Sequence, residues 1–182
     1  MKATGIVRRV DELGRLVIPK EIRRTMRLTE GTPLEIFTDR EGQIILKKYS
    51  PMMELGSFAK QYAESVAQTM NQKVAVSDRD QIIAVAGGGK RELLGKTISR
   101  QLEEMIINRE NSIQAGLDKK TIPLISGDED SYSAQAIYPI CCEGDCIGAV
   151  IFYSRENQTH FCETEYKAAA CAASFLGKQM EG

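Results

Sequence analysis

The run Gly5-Ile6-Val7-Arg8-Arg9-Val10-Asp11-Glu12-Leu13-Gly14-Arg15-Leu16-Val17-Ile18-Pro19 constrains the fold more than any other stretch of the chain. Ile6 to Val10 and Arg15 to Ile18 are rich in β-branched and aliphatic residues and read as two short strands. Asp11 to Gly14 reads as the turn between them, with Gly14 able to take positive φ. Pro19 ends the second strand and suits the first turn of a helix, where a missing N–H costs nothing. A short helix is therefore expected from about Lys20 to Met26. Its Ile22 and Met26 share one face at i, i+4, which leaves Arg23, Arg24 and Arg27 on others.

This stretch is also basic. Lys2, Arg8, Arg9, Arg15, Lys20, Arg23, Arg24 and Arg27 outnumber Asp11, Glu12 and Glu21, a local net of +5 in a chain whose net charge is −1. Residues 1–53 carry eleven basic and seven acidic groups, net +4, whereas the remainder carries thirteen and eighteen, net −5. Such a division marks a domain boundary, and an arginine-rich surface on an otherwise acidic protein points to a phosphate-rich partner. Arginine suits both tasks that DNA sets, clamping phosphates and pairing with guanine edges through two parallel hydrogen bonds.

After Gly31-Thr32-Pro33 a strand from Leu34 to Thr38, a turn at Asp39 to Gly42 and a return strand from Gln43 to Lys48 complete a unit of about fifty residues. A unit this small is marginal alone, and intertwining with a second copy is the expected remedy. A dimer would double the arginine array with two-fold symmetry, which suits duplex DNA.

Thr4-Gly5-Ile6-Val7-Arg8, Asp11-Glu12-Leu13-Gly14-Arg15, Val17-Ile18-Pro19 and Glu21-Ile22-Arg23-Arg24-Thr25 resemble the AbrB-type swapped-hairpin DNA-binding domain. The resemblance covers residues 1 to about 52. It implies an intertwined swapped-hairpin β-barrel dimer that binds double-stranded DNA through Arg8, Arg15, Arg23 and Arg24. The two-domain layout resembles that of a sporulation regulator, which implies sporulation genes as targets.

Ser50-Pro51 opens a linker helix over about 51–70, with Leu55, Phe58, Tyr62, Val66 and Met70 as one apolar seam. The seam suits either a partner helix or the sheet of its own domain. Val74 to Ser77 and Gln81 to Ala86 read as a hairpin, Ser99 to Arg109 as a helix, and Ala134 to Cys142 with Cys146 to Tyr153 as a second hairpin. Residues 110–132 show one short strand near Pro123 to Ser126 and an acidic loop, Gly127 to Asp130. A last helix with clustered alanines spans about Phe161 to Met180. Antiparallel pairs with helices at the ends fit an α+β fold. Tyr138-Pro139-Ile140 and Gly144 to Val150 resemble the late strands of GAF domains, so residues 53–182 are expected to be a GAF-like antiparallel sheet flanked by helices. That resemblance implies a sensor and oligomerisation domain, with a small-molecule ligand and a tetramer as further expectations.

Gly89-Lys90 to Gly95-Lys96-Thr97 imitates a phosphate-binding loop but has five residues between its glycines where the motif needs four. The five cysteines suggest no disulfide framework, and reduced thiols in a cytoplasmic, nucleoid-associated protein are expected. Cys142 and Cys146 flank the hairpin turn and are expected to face each other. No metal, cofactor or catalytic residue is expected: Cys141, Cys142, Cys146, Cys162 and His160 lack metal-ligand spacing, and His160 has no Ser–Asp arrangement nearby. Two other classes compete with a DNA-binding regulator. A thiol-dependent small-molecule reductase would use the cysteines, and a toxin-neutralising antitoxin would carry a disordered acidic tail where residues 53–182 are patterned and apolar.

Overall fold

Pro19 ends one extended run and starts a helix, as its chemistry dictates. The computed structural model describes residues 5–49, 56–115, 121–128, 132–156 and 159–180. Helix α1 spans Lys20–Thr25 with Pro19 at the N-cap, φ −58° and ψ 150°. The chain leaves it through Arg27 at φ 49°, while the Leu28 N–H returns to the Arg23 carbonyl at 2.8 Å. Strands β1 (Leu34–Thr38) and β2 (Ile44–Lys48) pair antiparallel, with Leu34 opposite Lys48 and Thr38 opposite Ile44. Asp39 holds their turn by accepting the Glu41 and Gln43 N–H groups at 3.0 and 2.9 Å.

Residues 5–18 depart from expectation. The turn forms at Asp11–Gly14, with the Gly14 N–H on the Asp11 carbonyl at 3.0 Å, but no strand is formed over Ile6–Val10 or Arg15–Ile18 among the described residues. A strand needs a neighbour for its N–H and C=O groups, and these runs have no strand partner among the described residues.

The chain divides into two compact units, Met1–Tyr49 and Ser50–Gly182. The second contains α2 (Gly56–Met70), β3 (Lys73–Asp78), β4 (Ile82–Ala86), α3 (Lys90–Leu93), α4 (Arg100–Ile107), β5 (Ser112–Ala115), β6 (Ala134–Cys142), β7 (Asp145–Ser154) and α5 (Glu163–Lys178). Its five strands form one antiparallel sheet in the order β4-β3-β7-β6-β5. Alternation along β7 sends Val150 and Phe152 to one face and Ala149, Ile151 and Tyr153 to the other. Helices α2 and α5 cover the first face, and α3, α4 and the segment around Leu124 cover the second.

On α2 the deeply buried stripe is Ala59, Ala63 and Ala67, while Tyr62, Val66 and Met70 are half-buried and Phe58 stays 48% exposed. Alanine lets a helix approach a sheet closely, so the large apolar residues fall on its flank. Leu55 and the Ser50-Pro51 start lie outside the described residues. Near Pro123–Ser126 the only pairing among the described residues is the bridge between Ile98 and Ile125, while β5, which the sequence did not reveal, pairs with β6.

Two cysteine expectations are corrected. Cys141, not Cys142, faces Cys146, and the two sulfurs are bonded as a disulfide instead of remaining reduced. Continuing the Ile140–Gly148 register without a break would set Cys142 opposite Cys146. A bulge between Ile140 and Cys141 leaves Ile147 unpaired and moves the register by one residue.

Gly177 lies where α5 meets this hairpin, and a Cβ there would collide with the Cys141 backbone carbonyl. Gly177→Ala is therefore expected to cost about 1–3 kcal/mol by overpacking. Gly56→Ala, which meets nothing within 4 Å, should be neutral or slightly stabilising. Urea unfolding of both variants checks the contrast.

Candidate nucleic-acid interface

Asp11 organises the first half of the basic surface. Its Oδ1 accepts the N–H groups of Leu13 at 3.0 Å and Arg15 at 2.8 Å, and its Oδ2 accepts Arg15 Nε at 2.7 Å. The turn thus fixes the stem of Arg15, whose side chain remains 69% exposed. Donation by the Arg15 backbone N–H, and then by its guanidinium, holds the Asp11 carboxyl below the usual aspartate range. Sequence reasoning placed Asp11 in the turn and counted it as an opposing charge but gave it no anchoring role; the Asp-x-x-Gly turn pattern was the signal for that role.

Arg8 is exposed on the first extended run, and its guanidinium donates to the Val7 carbonyl at 3.1 Å. It also lines an open apolar cavity of about 330 Å³ together with Ile6, Leu16, Ile18 and the α1 residues Ile22 and Met26. Arg8 is therefore brought beside α1, whereas Arg15 does not line that cavity. Arg23 and Arg24 occupy the last turn of α1, both exposed, and no carboxylate pairs with either among the described residues. All four arginines are exposed, with Arg15 Nε held by Asp11 and the Arg8 guanidinium on the Val7 carbonyl.

The glycine–lysine stretch has a different role. A Cβ on Gly87 would collide with the Gln72 carbonyl and one on Gly89 with the Tyr153 hydroxyl, which itself donates to the Gly88 carbonyl at 2.8 Å. Leu93 is buried at the end of α3. These glycines let the chain pass close to the sheet.

In the second unit the structure assembles a convergent polar set. Arg155 reaches Glu92 at 2.7 Å and Asp128 at 3.4 Å and lies over the Tyr132 ring at 4.9 Å, while the Tyr132 hydroxyl donates to Asp128 at 2.6 Å. Burial, reinforced by the bond to Asp128, raises the Tyr132 phenol well above its ordinary range, and burial pushes Tyr153 up to about 12. The cluster ties α3, the loop at Asp128 and the end of β7 together. His160 is exposed ahead of α5. Among the described residues no three His, Cys, Asp or Glu side chains gather as metal ligands.

The second unit has the fold of a GAF domain: a GAF domain from an Acinetobacter phosphoenolpyruvate-protein phosphotransferase superposes with a TM-score of 0.57 at 12% identity, covering 74% of this chain and 84% of that one. The first unit matches the transition state regulatory protein AbrB of Bacillus subtilis, 64% identical over 53 residues, which is 29% of this chain and 54% of AbrB. The class is thus a transcription regulator with an AbrB-type first unit and a GAF-fold second unit. The model described as "Stage V sporulation protein T C-terminal, transcription factor" matches residues 54–181, and that described as "Antidote-toxin recognition MazE, bacterial antitoxin" matches residues 7–53. Stage V sporulation protein T of Bacillus subtilis is 49% identical over 181 residues, covering 100% of this chain and 99% of that protein. The chain belongs to the stage V sporulation protein T family of transcription factors.

The Asp11 geometry is directly testable. A carboxyl carbon NMR titration should place Asp11 below the ordinary value of about 3.9, and Arg15→Ala should raise it. Because the folded pKa is depressed, the turn is held at pH values above the unfolded pKa. That support is lost as pH falls through the folded pKa.

Proposed function

We propose that residues 1–52 bind duplex DNA as a hairpin-exchanged dimer, with Arg8, Arg15, Arg23 and Arg24 of each copy as the contact set. One observation carries this reading: of the described residues in 5–49, only Pro19 is buried. Val7, Leu13, Ile44 and Val17 are 83, 75, 72 and 71% exposed, and the apolar cavity under Arg8 stands open. A unit that buries so little cannot repay the entropy of its own ordering. A second copy supplies both the missing strand neighbours and the missing core, and it joins two arginine sets into one surface.

Docking is then mainly electrostatic. The guanidinium groups displace counterions from phosphates and fix the register, while a subset reads base edges and DNA shape supplies further selectivity. The GAF-like residues 53–182 assemble dimers into a tetramer and take a small-molecule ligand in a sensing role. Support for the assembly is an exposed aromatic patch: Phe58 and Phe175 are 48% and 41% exposed, and Phe175 stacks on Tyr62 with centroids 5.5 Å apart. The name of the full-length relative, a sporulation protein, supports sporulation genes as targets. Regulation without catalysis, in the cytoplasm on the nucleoid, follows from that reading. Against a toxin-neutralising tail stands the five-stranded folded domain in its place.

Fluorescence anisotropy with duplex DNA over a salt series tests the reading on the intact chain. Eight arginines in a dimer bound the slope of log K against log[salt] near −7, at about −0.9 per phosphate neutralised. Arg23→Ala or Arg24→Ala should weaken binding and flatten the slope by up to about 1.8, two contacts per dimer. Absence of duplex binding at low salt would sink the proposal.

A further inference from the structure

The end of the β6–β7 hairpin holds chemistry that DNA binding does not use. Its bulge sets Cys141 directly opposite Cys146, and the two sulfurs are bonded. Their surroundings are unequal: Cys141 is exposed, whereas Cys146 is 3% exposed and packs among Ile82, Ile137 and Ala149 on the α4 side of the sheet. Two guanidinium groups converge on the same hairpin end. Arg79 Nε donates to the Cys146 carbonyl at 2.6 Å, and Arg109 donates to the Gly144 carbonyl. Both guanidinium groups hold backbone carbonyls of the turn, which also carries Glu143 and Asp145; the thiolate is the form that attacks a disulfide. The other three cysteines have no cysteine bonded to them; Cys142 is the next residue along β6 and pairs with Asp145.

We propose that Cys141 and Cys146 are a reversible dithiol site for low-molecular-weight disulfides, with exposed Cys141 as the entry thiol and buried Cys146 as the resolving thiol. In the forward direction the Cys141 thiolate attacks one sulfur of RSSR. The RS–SR bond breaks, RS⁻ leaves and takes up the proton lost by Cys141, and a Cys141–S–SR mixed disulfide remains. The Cys146 thiolate then attacks Cys141 Sγ and expels a second RS⁻, which takes the proton lost by Cys146. The protein has lost two electrons and two protons, and RSSR has become two RSH. The register across the rest of β6 and β7 needs no change for either state, so exchange proceeds on the folded domain.

The test uses the intact chain with Cys142, Cys162 and Cys171 changed to Ser, reduced and then treated with glutathione disulfide. Intact mass and peptide mapping should show the Cys141–Cys146 disulfide and no retained adduct. Adding Cys146→Ser should trap one glutathione on Cys141, and adding Cys141→Ser instead should abolish adduct formation over the same period. Differential alkylation of the reduced natural sequence, which needs no substitution, should label Cys141 before Cys146. A dithiol that survives glutathione disulfide unchanged, or a Cys146 that is labelled or glutathionylated as fast as Cys141, overturns the proposal.

Discussion

Backbone hydrogen bonding that the chain cannot complete by itself governs the first unit. Residues 6–10 and 15–18 flank a well-formed turn and carry β-branched side chains, yet no strand forms over them among the described residues. Their apolar side chains share the deficit, since Val7 and Val17 stand mostly exposed. On the proposed reading both deficits have the same cure, a second copy of the same segment. Dimerisation on this account completes the fold, and the paired arginine surface follows from it. Asp11 contributes locally by fixing the turn and the stem of Arg15, so that one guanidinium is presented from a defined position instead of a free loop.

The second unit closes its own accounts. Its sheet is covered on both faces, with alanines of α2 and α5 against one and the aliphatic residues of α3 and α4 against the other. Close approach recurs at Gly87, Gly89 and Gly177, each set where a side chain would strike backbone or a tyrosine hydroxyl. A rigid platform of this kind can present the Phe58, Tyr62 and Phe175 patch to another copy without reorganising.

Features set by neighbours in sequence were legible: α1 from Pro19, the turn from Asp11–Gly14, the β1–β2 hairpin from the turn at Asp39 to Gly42, and α4, whose Ser99 cap hydroxyl accepts the Leu102 N–H at 3.1 Å. Features set by distant pairing were not. Strand β5 depends on β6, where Ala115 meets Ala134. The Arg155 cluster draws on Glu92 and on the neighbouring Asp128 and Tyr132, so three distant stretches meet in it. A single unpaired Ile147 decided which cysteine faced Cys146, and no local pattern announces a bulge. For α2 the large apolar seam drew attention, whereas the physics of helix-on-sheet packing favoured the alanines beside it. Arginine identity was readable in the basic stretch, but the role of Asp11 emerged only with the turn geometry.

The central claim is that the first unit folds only with a second copy. A 1–53 fragment, followed by circular dichroism and sedimentation over a wide range of concentration, addresses it most directly. Obligate exchange requires that secondary structure and the dimer be lost together on dilution, with a melting temperature that rises with concentration. A fragment that sediments as a monomer while keeping its full circular dichroism spectrum and a concentration-independent melt would contradict it.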